Sequence, residues 1–179
     1  MLQDIREVLI SKEAIEAKTK ELAERISRDY KGKDLLVVGV LKGSVIFASE
    51  LIKNITIPCE IDFMAVSSYG SSSETTGVVR ILKDLDSEIS GKHILIVEDI
   101  VDSGVTLSYL LNYLKTRNAS SVEIASLLTK PSRRKVDIDC KYIGFETPDE
   151  FLVGYGLDYA EKYRNLPFIG ILKREMYEK

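Results

Sequence analysis

The residues best suited to chemistry lie together in the stretch ILIVEDIVDSGVTL, residues 94–107. An apolar run leads into Glu98 and Asp99, Asp102 follows, and the small polar turn 103–106 precedes a leucine-rich segment. In open α/β sheets, ligands bind at the carboxyl ends of strands. Backbone N–H groups at the start of a helix suit a phosphate. Carboxylates repel phosphate but accept hydrogen bonds from sugar hydroxyls, so the pattern predicts a site for a sugar that carries a phosphate.

A purely structural interpretation of the same residues is also open. Glu98 and Asp99 would then only solvate the end of a strand, and Asp102 or Ser103 would cap the following helix. Either interpretation suits any single residue. The coincidence of strand end, paired acids, turn and helix favours the binding site.

Composition limits which other chemistry the chain can perform. The sequence has 179 residues with 25 Lys+Arg, 28 Asp+Glu, one His, two Cys and no Trp, and a net charge of -3. This length predicts one domain of ordinary globular composition. A standard zinc site or a disulfide framework cannot be built from Cys59, Cys140 and His93. A Ser–His–Asp triad would depend entirely on His93, which lies in a strand-like run.

Charge and hydropathy predict where the protein acts and what it does not bind. No apolar run approaches the roughly 18–20 residues of a membrane span. The first ten residues carry Asp4, Arg6 and Glu7 instead of the apolar core of a signal peptide. The acidic balance disfavours a general nucleic-acid surface. We therefore expect a cytoplasmic protein with no nucleic-acid or membrane partner.

The elements that position these residues are predicted to alternate between strands and helices. Such alternation predicts a mostly parallel sheet with helices on both faces. A long hairpin with a polar tip at 70–77 interrupts it. The predicted strands are 34–40, 61–69, 78–82, 93–97, 121–129, 151–155 and 168–172, and the predicted helices are 11–26, 43–54 and 104–115. We expect a single domain over 1–179, with a core at about 30–130 and a small hood from about 1–12 and 131–179.

The segment VEDIVDSGVTL resembles the phosphoribosyl-pyrophosphate motif of the type I phosphoribosyltransferases. Further segments narrow the resemblance to the hypoxanthine-guanine phosphoribosyltransferases, and together they span roughly residues 30–170. They are GVLKGS at 39–44, SSYG at 67–70, KP at 130–131, GFETPD at 144–149 and FLVGYGLDY at 151–159. The resemblance implies the α/β fold of that family, with a mostly parallel central sheet flanked by helices.

The resemblance also implies a reaction in purine salvage. The 5-phosphoribosyl group of phosphoribosyl pyrophosphate passes to hypoxanthine or guanine, which gives IMP or GMP and pyrophosphate. Magnesium is the implied cofactor, because the leaving pyrophosphate is highly charged. The resemblance further implies a homodimer or homotetramer.

Residues that would bind phosphoribosyl pyrophosphate come from three parts of the chain. The resemblance makes Glu98 and Asp99 the acceptors of the ribose hydroxyls, and both of them metal ligands together with Asp158. It also implies a cis peptide bond between Leu41 and Lys42. The full set is Leu41, Lys42, Gly43, Glu98, Asp99, Asp102, Ser103, Gly104, Val105, Thr106 and Arg164.

Purine recognition is implied for four residues after position 129. Lys130 would donate to the six-position oxygen, which favours hypoxanthine and guanine over adenine. Phe151 would stack on the base, and Leu152 would offer only backbone groups. Asp158 completes the set. Without the resemblance, Phe151 would be assigned to the core and Lys130 to the surface.

Three residues are implied in the chemical step. Asp102 would act as general base near ring nitrogen seven of the purine. Ser68 and Tyr69 stand at the base of the polar hairpin tip, which resembles a lid that closes over the reacting atoms and excludes water. From composition alone, that tip would be an ordinary loop.

Three other functions compete with this interpretation. A xanthine-preferring or guanine-preferring phosphoribosyltransferase would use the same Lys130 and Phe151. A phosphoribosyl-pyrophosphate-sensing regulator that binds RNA or DNA would share the fold, but the net charge of -3 disfavours it. A response-regulator-like module would explain acids at strand ends but not Lys42-Gly43 or FLVGYGLDY.

Overall fold

The computed structural model describes residues 1–68 and 78–178, which form nine β-strands and three α-helices. The strands are β1 (Ile5–Ile10), β2 (Leu35–Leu41), β3 (Glu60–Ser68), β4 (Val79–Lys83), β5 (His93–Val101), β6 (Ser121–Thr129), β7 (Tyr142–Glu146), β8 (Leu152–Val153) and β9 (Ile169–Leu172). The helices are α1 (Lys12–Asp29), α2 (Val45–Asn54) and α3 (Val105–Lys115).

Two sheets organise these elements. The larger sheet has six strands in the order β4-β3-β2-β5-β6-β7, and only β4 runs antiparallel to its neighbour. The smaller sheet has the order β1-β9-β8 and is antiparallel. The predicted fold class, a mostly parallel central sheet with helices and a small hood, is confirmed.

Alternating side chains of β5 explain why both faces of the large sheet are covered. Leu95 and Val97 belong to one buried cluster with residues of α1 and α2. Ile94 and Ile96 belong to a second buried cluster with residues of α3. Because successive strand residues point to opposite faces, an unbroken apolar run forms a strand that is buried on both sides.

Local signals correctly predicted the first helix. The Ser11 hydroxyl accepts a hydrogen bond from the Ala14 N–H at 3.1 Å and caps α1. Ile15, Leu22 and Ile26 lie on the buried face of the helix, as their spacing predicted. No helix among the described residues is long and apolar enough to cross a membrane.

The strands depart from the predictions in four main places. The predicted strand 151–155 is reduced to β8, because Gly154 and Tyr155 have positive φ and turn the chain. β5 continues through Glu98 and Asp99 to Val101, because Glu98 and Ile100 stay paired with β6. β1 was not predicted as a strand, and it pairs with the distant β9. β7 was also missed, and although it lies within 131–179, the stretch predicted for the hood, it is the last strand of the large sheet.

Candidate active site

The turn after β2 is held against the end of β5 and the loop 154–156. The peptide bond between Leu41 and Lys42 is cis, as expected from the resemblance. A side chain at Gly43 would collide with the Asp99 carboxylate, and one at Gly156 would collide with the Gly43 carbonyl oxygen. These two glycines therefore allow three chain segments to meet.

Glu98 and Asp99, called the acid pair below, are positioned by the last residue pairs between β5 and β6, on either side of Asp99. Burial raises the pKa of the Glu98 carboxyl well above its usual value, and Asp99 raises it further. Burial also raises the pKa of Asp99, although its Oδ1 accepts the Ile100 N–H at 2.7 Å.

The turn between β5 and α3 has the backbone shape expected of an anion site. Gly104 has a φ of +83°, in the left-handed region that favours glycine, and it directly precedes α3. The Ser103 hydroxyl accepts the Val105 N–H at 3.3 Å. The Ser103 carbonyl accepts the N–H groups of Lys135 and Val136, at 2.9 and 3.2 Å. The segment 135–136 therefore holds the turn in place, and the N-terminus of α3 follows directly after it.

Asp102 stands at the mouth of this turn and faces a cavity. Its Oδ1 is buried and has no hydrogen-bond partner among the described residues. Its Oδ2 lies 3.9 Å from Nη1 of Arg133. A buried carboxylate oxygen without a partner is costly, so Asp102 has unused acceptor capacity at the edge of the cavity.

The cavity beside Asp102, called the base cavity below, has a volume of about 330 Å³. It brings together all four predicted purine-binding residues and Asp102. Its lining residues are Ile100, Asp102, Lys130, Arg133, Asp149, Glu150, Phe151, Leu152, Leu157, Asp158 and Tyr177. A larger cavity, near α3 and β6, contains none of the predicted site residues. The base cavity is therefore the candidate purine site.

Lys130 and Phe151 are fixed by neighbours in the base cavity. Lys130 is only 7% exposed, and its Nζ donates to the Glu150 carbonyl at 2.6 Å. Burial lowers the pKa of Lys130. The Phe151 ring stacks on Tyr177 at 4.7 Å between centroids and meets Tyr159 edge-on at 5.4 Å. The cavity thus offers an oriented cation and an oriented aromatic face.

An ion-pair group, made of Lys42, Asp158, Glu161 and Arg164, lies near enough to the acid pair for the Arg164 charge to act on Asp99. Arg164 donates from Nη1 to the Gly156 carbonyl at 2.7 Å, and its Nη2 lies 3.1 Å from Asp158 Oδ1. Lys42 Nζ lies 2.9 Å from Glu161 Oε2. The hydrogen bond from Lys42 lowers the pKa of Glu161.

For the remaining predicted residues, the structure gives only their position along the chain. Ser68 ends β3, and Tyr69 lies outside the described residues, so the lid prediction is untested. Val105 and Thr106 form the first turn of α3. Within 1–68 and 78–178, no three His, Cys, Asp or Glu side chains form a group that could hold a metal ion by themselves.

Several residues of the site were missed by sequence reasoning. Tyr177 and Arg133 line the base cavity, and Glu161 holds Lys42. Arg134 donates from Nε to the Asp102 carbonyl at 3.2 Å and from Nη2 to Thr129 Oγ1 at 2.8 Å. Arg133, Arg134 and Glu161 each lie within three residues of a quoted segment, whereas Tyr177 needed the fold to reveal it.

Comparisons with known proteins agree on one family. The sequence profile described as "Phosphoribosyl transferase domain" matches residues 8–160. The hypoxanthine-guanine phosphoribosyltransferase of Bacillus subtilis is 54% identical over 178 residues, which cover 99% of this chain and 99% of that protein. The one from Streptococcus thermophilus is 52% identical over 177 residues, with 99% and 98% covered.

Solved structures give the same result. A hypoxanthine phosphoribosyltransferase from Staphylococcus aureus superimposes with a TM-score of 0.97 at 52% identity, covering 100% of this chain and 97% of that one. A hypoxanthine-guanine phosphoribosyltransferase from Bacillus anthracis superimposes with a TM-score of 0.91 at 50% identity, covering 94% and 99%.

Proposed function

Because the chain belongs to the hypoxanthine-guanine phosphoribosyltransferase family, we propose that it transfers the 5-phosphoribosyl group of phosphoribosyl pyrophosphate to hypoxanthine and guanine. The products are IMP or GMP and pyrophosphate. The observation that carries the proposal is the base cavity, which joins Lys130 and Phe151 to Asp102 at the start of the turn before α3. That arrangement puts purine-binding groups next to sugar-binding groups.

The base cavity accounts for the choice of purine. The Lys130 amine is buried and already held by the Glu150 carbonyl, so it can donate to a six-position oxygen with little further ordering. An adenine amino group would place a donor against a donor and leave both unpaired. The Phe151 ring offers a stacking face, which is worth about 1–3 kcal/mol per base.

The acid pair and the turn before α3 account for the sugar phosphate. We assign the ribose hydroxyls to Glu98 and Asp99, and the 5-phosphate to the backbone and hydroxyl groups of residues 102–106. As the bond to pyrophosphate breaks, positive charge develops at the anomeric carbon. Any negative charge that the acid pair carries close to that carbon stabilises this charge.

Asp102 is assigned the proton transfer. Its Oδ1 is buried without a partner in the described part of the chain, and the residue lines the base cavity. We propose that it exchanges a proton with ring nitrogen seven of the purine, which keeps the ring neutral as the new bond forms. Placement of the acceptor before the reaction lowers the cost of reorganisation.

The leaving pyrophosphate is assigned to the turn 41–43 and to Arg164. Magnesium usually keeps several waters and binds one or two carboxylates together with substrate phosphates. The acid pair and Asp158 are carboxylates of this kind, so they fit a magnesium ion shared with the ligand's oxygens. When bound, the ion would neutralise charge on the leaving group.

The cytoplasmic location, the homodimer or homotetramer, and the lid formed from Ser68 and Tyr69 stay predictions.

A parallel assay tests the proposed activity. The full chain is incubated with phosphoribosyl pyrophosphate and magnesium, and separately with hypoxanthine, guanine, xanthine or adenine, while nucleotide formation is followed by absorbance. We expect turnover with hypoxanthine and guanine and none with adenine. Turnover with xanthine alone would move the assignment to a xanthine-preferring enzyme, and no turnover with any base would overturn it.

A further inference from the structure

Glu161 is a feature of the site that the proposed reaction does not use. Its two carboxylate oxygens contact two different cations, Lys42 at 2.9 Å and Arg164 at 3.3 Å. Lys42 lies in the turn assigned to pyrophosphate, and Arg164 is the side chain assigned to it. One acidic side chain therefore occupies two cationic donors in the part of the site that the proposed function assigns to an anionic ligand.

A tight hairpin turn fixes the position of Glu161. Tyr159 and Lys162 exchange two backbone hydrogen bonds, at 3.0 and 3.1 Å, and close a two-residue hairpin turn around Ala160 and Glu161. Both central residues have positive φ, 50° and 63°. Turns of this mirror-image kind strongly favour Asn and Gly at these positions. A Glu at such a position is unfavourable for the backbone, so turn geometry does not explain why Glu stands here. The contacts of its side chain offer another reason.

A second contact fixes the direction of the turn. The Glu161 N–H donates to Asp158 Oδ2 at 2.8 Å, and Asp158 Oδ1 contacts Arg164 at 3.1 Å. Glu161 is thus held beside Arg164 through its own backbone as well as through its carboxylate. Lys42 comes from the distant turn after β2, which is 119 residues away in sequence.

We propose that Glu161 is a built-in competitor of pyrophosphate, whose carboxylate holds Lys42 and Arg164 in the free enzyme and returns to them as pyrophosphate leaves. The inference rests on the proposed function, because it takes the turn 41–43 and Arg164 as the pyrophosphate site, and it adds the Lys42 amine as a ligand. It adds a residue that weakens product binding and so speeds product release. The carboxylate and pyrophosphate are both anions, so they cannot share the same two cations without repulsion.

The test measures pyrophosphate binding to the full chain by calorimetry, with and without magnesium. Glu161→Gln keeps the size of the side chain and removes its charge. Glu161→Gly removes the side chain and suits the positive φ of the turn. We expect both variants to bind pyrophosphate roughly threefold to tenfold more tightly, since an exposed ion pair has only a small effect on an equilibrium.

Two controls separate this effect from general charge and from folding. Glu24→Gln removes the same charge from the exposed side of α1 and should leave the Kd unchanged. The thermal unfolding of Glu161→Gly should show a folded protein at least as stable as the parent. The advantage of Glu161→Gln should also shrink as salt is added, because exposed charges are screened.

Each outcome bears on the inference. An unchanged or weaker affinity for pyrophosphate in Glu161→Gln would overturn it, even if the assay with hypoxanthine succeeds. Arg164→Gln should weaken pyrophosphate binding; if it does not, Arg164 is no ligand and the inference also fails. Nucleotide formation by the parent chain tests the proposed function separately, so the two failures are distinguishable.

Discussion

The base cavity and the ion-pair group share Asp158 but are built by different means. In the base cavity, Lys130 is 7% exposed and is held by a backbone carbonyl. In the ion-pair group, Lys42 and Glu161 have 68% and 64% of their side chains exposed and hold each other. Buried groups with fixed partners select a ligand by shape and hydrogen bonding, whereas exposed ion pairs exchange partners easily. The difference suits a neutral base on one side and a charged leaving group on the other.

Asp102 lines the base cavity, and its substitution should have the largest effect on the reaction. Asp102→Asn keeps the shape of the side chain but cannot accept a proton. We expect kcat to fall by roughly 10²–10⁴-fold, the usual contribution of general acid–base catalysis. Steady-state kinetics with saturating substrates gives the value. A loss smaller than about tenfold would remove Asp102 from proton transfer.

Lys130 tests whether the base cavity recognises the purine through a buried donor. Lys130→Met keeps most of the apolar stem and removes the amine that now donates to the Glu150 carbonyl. A hydrogen bond to a charged group is worth about 1.5–3 kcal/mol. We therefore expect kcat/KM for hypoxanthine to fall roughly tenfold to a hundredfold.

The KM for phosphoribosyl pyrophosphate serves as the internal control, because Lys130 lies in the base cavity and not in the ion-pair group. An equal loss of affinity for both substrates would show that the substitution disturbs the whole site. It would then say nothing specific about recognition of the base.

Substitutions at three glycines test how tightly the backbone is packed near the pyrophosphate site, with one open position as the reference. At Gly156 a side chain would meet the Gly43 backbone, and φ is +101°, so Gly156→Ala should destabilise the fold by about 1–3 kcal/mol. At Gly43 a side chain would instead meet the Asp99 carboxylate, which can move. Gly43→Ala should therefore raise the KM for phosphoribosyl pyrophosphate, and its loss of unfolding free energy should be smaller than that of Gly156→Ala.

Gly91→Ala is the matched control, because φ is +80° and nothing lies within 4 Å of the added carbon. Its cost should be only that of the left-handed backbone, about 1 kcal/mol. Thermal unfolding of all three variants, with kinetics for Gly43→Ala, checks the order. Equal losses of stability in Gly156→Ala and Gly91→Ala would contradict the tight contact between the two turns.

Local signals in the sequence were sufficient for much of this architecture. The capped helix α1 and the buried strands were predicted because their signals lie within a few residues of one another. β1 was missed because none of its residues is fully buried and its partner, β9, is distant in sequence. β7 was missed because its short run of five residues alternates only weakly between buried and exposed.

The candidate site divides in the same way. The acid pair, Asp102 and the turn before α3 are consecutive, so their types and spacing were enough to predict a sugar-phosphate site. The purine-binding residues came only from the resemblance. Tyr177 and Glu161 acquire their positions from contacts with residues far along the chain, although Glu161 lies close in sequence to the predicted residues Asp158 and Arg164.

Tyr177 gives the smallest expected effect and shows how rigid the base cavity is. Its ring stacks on Phe151 with an interplanar angle of 26°, and aromatic pairs contribute about 0.5–1.5 kcal/mol beyond burial. Tyr177→Leu keeps an apolar side chain but removes the stacked ring, so KM for hypoxanthine should rise roughly twofold to tenfold with little change in kcat. Tyr177→Phe, which retains the ring, should behave as the parent. If Tyr177→Leu binds hypoxanthine more tightly, Tyr177 competes with the purine for the Phe151 face instead of supporting it, and the base cavity would then resemble the ion-pair group in holding a displaceable occupant.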